Sequence, residues 1–219
     1  MFGPRIILKE GRLNLLLRPV SRDDLPEIAR WFQSLDTTMW VRFHVGAMVI
    51  EDELEWYEKN RKNPDGIVWI VALLETEEPI GVATLHGVTD LTGGCTVGMV
   101  IGQKKWRGQG VGTMVHKALI WYAFEYCNRS KIWATIRDPN EASKKAAFRV
   151  GYRQTGVTYC NIFRHGRWWN TINIVLFNLK EVARQFPDGV PEVLADGAAV
   201  AAEILRIQQA TPFATFAES

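Results

Sequence analysis

Six consecutive residues, Arg107-Gly108-Gln109-Gly110-Val111-Gly112, have the types and spacing of an anion cradle. Three glycines alternate with larger residues behind a fixed guanidinium charge. The apolar residues Met114, Val115, Ala118, Leu119 and Tyr122 then recur at helical spacing. A helix opening at Val111 presents unpaired backbone N–H groups and the positive end of its dipole to the loop. Gly108, Gly110 and Gly112 have no Cβ, so an anion can approach that backbone closely. The chemistry predicted is pyrophosphate binding on the amides of 107–113, with Arg107 adding charge; a glycine-rich connection with no ligand is the alternative. Two other cradles are excluded. The chain has no Gly-Lys-Ser/Thr triplet, and Thr113 stands where a dinucleotide fingerprint needs its third glycine.

A second group lies downstream, at Asn140-Glu141-Ala142-Ser143 followed by Gly151-Tyr152. Asn140 and Ser143 open a short helical stretch. There they either bond to backbone as a cap or offer an amide and a hydroxyl to a ligand. Candidate proton carriers are scattered: His44, His86, Tyr152, Tyr159, and the acidic run Glu51, Asp52, Glu53 and Glu55. Singly, each suits a solvated face or a packed loop as well as chemistry. His116, mid-helix, and His165, in a turn, read as structural.

The elements that position these groups follow from periodicity and breakers. Two β-like pieces occupy 5–20. Ser21 caps a helix carrying Leu25, Ile28, Ala29 and Phe32 on one face, with Asp23, Asp24 and Pro26 in its first turn. An aromatic loop with Trp40, Phe43 and His44 precedes a second helix over 51–62, whose acidic start suits its dipole. Strands are expected at 67–74, 80–87 and 95–101, an antiparallel meander by its short loops, then at 131–136. A helix over 140–150 stops at Gly151. Strands at 152–163 and 168–178 are joined by the turn Arg164-His165-Gly166-Arg167. The order is mixed α+β.

The 219 residues suit one main domain with a substantial core, and a net charge of +2 gives no ground for a nucleic-acid partner. The early charges of the N-terminus do not fit a signal peptide, and no apolar run is long enough to span a membrane. Cys95, Cys127 and Cys160 lack metal-ligand spacing, so they are expected to be reduced, mostly core residues of a cytoplasmic protein with no metal. Domain organisation is expected to be 1–178 followed by an extension, 179–219. The extension carries an apolar helix at 197–209 whose stripe packs on the domain or on a second copy in a homodimer.

Taken together, Arg107 to Thr113, Asn140 to Ser143, Gly151-Tyr152 and the Arg-x-Gly-x-Trp turn resemble the GNAT N-acetyltransferases, in particular the branch that acetylates ribosomal-protein N-termini. The resemblance covers roughly 12–178. It implies a central, mostly antiparallel twisted sheet flanked by helices, with the strand at 95–101 splayed from the one at 131–136. It implies acetyl-CoA as co-substrate, its pyrophosphate on Arg107, Gly108, Gln109, Gly110, Val111, Gly112 and Thr113. The backbone of Val100 and Ile101 then receives the pantetheine and thioester. Asn140 touches the pantetheine arm, and Ser143 serves the leaving thiolate. The expected reaction is acetyl transfer to a primary amine, a peptide N-terminus or small amine ahead of polyamines and aminoglycosides. A non-catalytic acyl-CoA-binding domain is the competing expectation. It is favoured by two departures from the family: Ala147 in place of the usual acid tyrosine, and Thr96 in place of a glutamate. Asn170 likewise replaces a common aspartate of the hairpin.

Overall fold

The computed structural model describes residues 1–41, 46–188 and 214–216. The chain forms two compact units, Met1–His86 with Gly98–Val115 and Phe213–Ser219, and Gly87–Val97 with His116–Pro212.

In the first unit, β1 (Ile6–Glu10), β2 (Leu13–Arg18), β3 (Gly66–Leu73) and β4 (Pro79–His86) pair antiparallel in the order β4-β3-β2-β1. β3 is an unbroken apolar run because it is buried along both faces, from Gly66 to Ala72, where a half-exposed strand would alternate. Helix α1 (Leu25–Phe32) lays Leu25, Ile28 and Trp31 on Leu16, Val68, Ile70, Ala72 and Val82. A single 3-10 turn, Arg22–Asp24, leads into α1 and carries the cap: Ser21 Oγ accepts from Asp23 N while Ser21 N donates to Asp24 at 2.7 Å, and α1 itself starts at Leu25 with Pro26 in its first turn. Arg18 donates to both oxygens of buried Asp24, at 2.9 and 2.7 Å, which supplies the charge that carboxylate needs. Helices α2 (Leu35–Thr38) and α3 (Ile50–Lys62) complete the helical layer.

In the second unit the first residues of β5 (Gly94–Ile101) run parallel to β6 (Lys131–Arg137). β6 pairs antiparallel with β8 (Arg167–Phe177), and β8 with β7 (Arg153–Arg164). Helix α4 (Val111–Trp121) begins in the first unit and ends in the second, where it widens into a π turn over Tyr122–Tyr126. Helices α5 (Glu141–Arg149) and α6 (Leu179–Gln185) lie here too. The fold is therefore mixed α+β, a mostly antiparallel twisted sheet with one parallel pair and flanking helices.

The expected elements are present, most with ends shifted by one residue. A further strand, β9 (Ala214–Phe216), pairs antiparallel with β1, Ile6 opposite Phe216; nothing in the sequence pattern announces it. One expectation needs correcting: Cys160 is exposed, whereas Cys95 is buried and Cys127 half-buried. The reason is a bulge in β7 between Thr158 and Ile162, where Cys160 takes a left-handed φ of 49°. The expected helix at 197–209, and Phe43 and His44, lie outside the described residues.

Candidate active site

The cradle is built at the end of β5, within the first unit. The parallel ladder of β5 with β6 has three residue pairs and stops at Thr96 and Trp133, while β5 itself continues to Ile101. Close packing holds that second half. A Cβ on Gly81 would lie 2.5 Å from Val100 O, and one on Gly98 would lie 2.6 Å from Thr84 Oγ1. Gly102, just past the strand, has no room for a side chain either, because Trp31 of α1 would be 2.0 Å away. Val100 and Ile101 are half-buried in this frame.

Arg107 is the brace of the loop. Its Nε donates to Ile101 O at 2.9 Å, and its Nη2 donates to Thr37 Oγ1 at 2.9 Å and Gly102 O at 3.2 Å. The guanidinium thus ties the carbonyl end of β5 to α2 and keeps a positive charge under the loop. Thr37 is buried and was not anticipated; a threonine in a short polar turn gives no signal for this role. Lysine has no planar fork to serve three acceptors. We expect Arg107→Lys to cost about 1.5–3 kcal/mol in chemical denaturation, the loss of one hydrogen bond from a charged donor. A variant as stable as the parent would show that the brace is dispensable.

Gly108 and Gly110 have φ of 76° and 90°. Gly108, Gln109 and Gly110 are exposed, Gly112 and Thr113 are half-buried, and Val111 is buried as the first residue of α4. Met114 N donates to Gly110 O, so the helical ladder starts immediately after the loop. A Cβ on Gly108 would meet nothing within 4 Å. The backbone of the loop is bare on that side, which fits the approach of a phosphate to amides at a helix start. Lys104 pairs with Asp36, and Lys105 with Glu78 at 3.5 Å.

Asn140 and Ser143 lie in the second unit. Asn140 Oδ1 accepts from Ser143 N at 3.1 Å and caps α5, so the pair is locked at the helix start with Ser143 half-buried. Lys144 pairs with Glu141 at 2.5 Å and, less strongly, with Asp138 at 3.2 Å, which holds its ammonium above the ordinary lysine range. Of the two tyrosine candidates, Tyr159 is well exposed on β7. Tyr152 is buried, its hydroxyl without a hydrogen-bond partner, its ring edge-on to His116 at 5.6 Å. Burial raises the Tyr152 pKa well above its usual value, and lowers that of His116 to about 4. Both are neutral packing groups at neutral pH, which agrees with the structural reading of His116.

The acidic run at the start of α3 divides. Glu51, Asp52 and Glu55 are exposed, as expected, but Glu53 is only 2% exposed. No hydrogen bond or ion pair reaches its carboxylate among the described residues. Desolvation, helped by neighbouring Asp52, raises its pKa to about 7. The signal was available in the spacing: Glu53, Trp56, Tyr57 and Asn60 share one helical stripe. Among the described residues, no group of three or more His, Cys, Asp or Glu is placed to hold a metal ion, and no helix is long and apolar enough to cross a membrane.

Comparison with known proteins identifies the family. The sequence model of the acetyltransferase (GNAT) domain matches residues 14–153. The chain belongs to the GNAT acetyltransferases. Like them, it is an acetyl-CoA-dependent acyltransferase. The enzyme is 24% identical over 171 residues to the uncharacterized N-acetyltransferase YoaA of Bacillus subtilis, covering 75% of this chain and 93% of that protein. Its fold is that of the spermidine N-acetyltransferase of Vibrio cholerae solved with CoA and spermine, with a TM-score of 0.70 and 17% identity over 76% of this chain and 96% of the other. A V. cholerae structure provisionally assigned as a ribosomal-protein-serine acetyltransferase matches with a TM-score of 0.62 and 19% identity, over 78% and 97%. At such identities these two likenesses concern the fold.

Proposed function

We propose that this acetyltransferase moves the acetyl group of acetyl-CoA to a primary amine by direct attack of the amine on the thioester. The observation that carries the reading is the cradle: a bare, positive-φ glycine loop braced by Arg107, opening straight into α4. Acetyl-CoA supplies the activated acyl group and the leaving thiolate. In this reading the amides of 108–113 hold its pyrophosphate, and the half-buried backbone of Val100 and Ile101 receives its pantetheine and thioester. Asn140 orients the start of α5 so that Ser143 serves the departing sulfur. The chain's task is alignment and charge stabilisation, with little covalent chemistry of its own. An amine arrives protonated at neutral pH and a base or a water chain must take that proton; Glu53, raised by burial to about 7, is the buried acid whose part in this the Glu53→Gln variant tests.

A peptide N-terminus or other small primary amine is the first-ranked acceptor, in keeping with the ribosomal-protein branch that the motifs resemble. The second reading, a polyamine, is favoured by the likeness to a spermidine N-acetyltransferase bound to spermine. Competition between an N-terminal peptide library, spermidine and an aminoglycoside at equal concentration decides between them. The highest kcat/KM for spermidine would reverse the ranking.

Ser143→Ala tests the role of the hydroxyl. Turnover should fall about ten-fold while acetyl-CoA affinity stays within about two-fold, because a group serving the leaving thiolate acts mainly in the transition state. Turnover unchanged with the best acceptor would leave Ser143 as a helix residue.

A further inference from the structure

The end of β5 is clasped from several sides. Gly102 lies against Trp31 of α1, whose ring is set by Nε1 donating to Glu27 Oε1 at 2.8 Å. The turn that follows is tied back to β4. Gly102 N and Gln103 N both donate to Ile80 O, at 2.9 and 3.2 Å, and Gln103 Nε2 donates to Pro79 O at 2.8 Å. Arg107 stands between this frame and the glycine loop, and α2 meets it there.

α2 is a single turn, Leu35–Thr38, and a helix that short has no stability of its own. Its N-cap, Ser34, makes no side-chain cap bond, so ties to other segments must hold it. Two of them reach the stretch that opens the cradle: Asp36 pairs with Lys104, and Thr37 Oγ1 accepts from Arg107 Nη2 at 2.9 Å. Their environments differ. The Lys104 and Asp36 side chains are 65% and 59% exposed, and a solvated pair of that kind contributes little. Thr37 is 4% exposed, so its oxygen meets a charged donor away from water, where the bond is stronger and its loss leaves the donor short of an acceptor.

The geometry of Arg107 makes that loss consequential. Nη2 is shared between Thr37 Oγ1 and Gly102 O, while Nε donates to Ile101 O. A guanidinium is planar and rigid, so its acceptors fix its orientation jointly. Without the Thr37 oxygen the group can turn about two backbone carbonyls of consecutive residues. Its own backbone runs directly into Gly108, where φ is 76° and nothing lies within 4 Å of an added Cβ. A turn of Arg107 therefore moves the strand end and the first amides of the loop together.

We propose that Thr37 is a positioning residue of the acetyl-CoA site: acting through Arg107, its hydroxyl oxygen sets the Ile101 end of β5 and the opening amides of the glycine loop. The role presupposes that this loop is the pyrophosphate cradle. Acetyl-CoA affinity then depends on one oxygen of α2, 70 residues before the loop in sequence.

The test is calorimetry of acetyl-CoA binding to the full chain and its variants. Thr37→Val keeps the shape and removes the oxygen, whereas Thr37→Ser keeps the oxygen and removes a methyl group. Thr37→Val should bind about ten-fold more weakly, and Thr37→Ser should stay within about two-fold of the parent. A packing role for the side chain gives the reverse order. Thr37→Ala, which puts no apolar group beside the guanidinium, should bind as weakly as Thr37→Val. Asp36→Asn, which breaks only the exposed tie, should stay within about two-fold. In an Arg107→Met background, Thr37→Val should change affinity little further, because the two residues act as one unit. In turnover, the loss should fall on the KM for acetyl-CoA with kcat nearly unchanged. Normal binding by Thr37→Val and Thr37→Ala, weaker binding by Thr37→Ser than by Thr37→Val, or additive effects in the Arg107→Met background would each overturn the proposal. Gly110→Val reads the cradle separately. Weak binding by Gly110→Val with normal binding by Thr37→Val removes the role of Thr37 alone, and normal binding by both removes the cradle as well.

Discussion

Gly110→Val should weaken acetyl-CoA binding at least ten-fold by calorimetry, with a smaller loss of fold stability. Gly110 holds φ at 90°, a region that a β-branched residue adopts only under strain. A Cβ there would also come within 3.5 Å of Leu13 Cδ1, leaving little freedom to relax inward. The loop must then move outward, carrying the amides of Val111 and Gly112 away from the positions that suit a pyrophosphate. Losing one or two hydrogen bonds to a charged group is worth roughly 1.5–3 kcal/mol each, which is ten-fold or more in affinity. Gly11→Ala is the control. Gly11 has φ of 59° with nothing within 4 Å of the added Cβ, so it imposes similar backbone strain in the β1–β2 turn outside the cradle. It should lower stability by about 1–2 kcal/mol and leave affinity unchanged. If Gly110→Val binds acetyl-CoA normally, the pyrophosphate is not held by this loop.

Most of the fold was legible because its elements are locally consistent. Ser21 with Asp24, and Asn140 before α5, are caps that act within three residues, and both formed. The strands were equally readable, since glycine and proline turns bracket them. What the sequence concealed depends on contacts between distant segments. Arg107 spends its Nε and one Nη on Thr37, Ile101 and Gly102, and no local rule places a threonine 70 residues upstream beneath it. The exclusion of any side chain at Gly102 depends on Trp31 in the same way. Glu53 differs, because its burial was written in the stripe with Trp56, Tyr57 and Asn60. The exposed acids beside it, Glu51, Asp52 and Glu55, give the same segment the composition of a solvated face. β9 is a third kind of omission: three residues, Ala214 to Phe216, are too few to carry a periodicity.

Glu53→Gln should make the protein more stable at pH 8 and change the shape of its pH–stability curve. The Glu53 carboxyl has its pKa raised from 4.5 to about 7 in the folded chain. The folded state therefore holds its proton where the unfolded state has released it. Stability from this group is fully present below about pH 4.5, declines as pH rises towards 7, and is lost above that. A shift of this size corresponds to roughly 3 kcal/mol. His116 works in the opposite sense. Its pKa is lowered from 6.5 to about 4, so its contribution is present above pH 6.5 and is lost as pH falls to 4. Between pH 4.5 and 6.5 the two slopes oppose one another, and the parent protein should be nearly flat. Glutamine keeps the shape of the side chain but cannot ionise, so the variant should match the parent near pH 4.5 and exceed it by up to about 3 kcal/mol at pH 8. The slope of His116 then stands alone, with stability rising from pH 4 to 6.5. Urea denaturation across pH 4–8 measures both curves. A variant whose curve parallels the parent at every pH would mean that Glu53 is ionised in the folded chain. Turnover measured on the same variant separates the two roles of the residue. A stabilised protein with full activity makes Glu53 a buried structural acid, and a stabilised protein with turnover lowered a hundred-fold or more makes it the base.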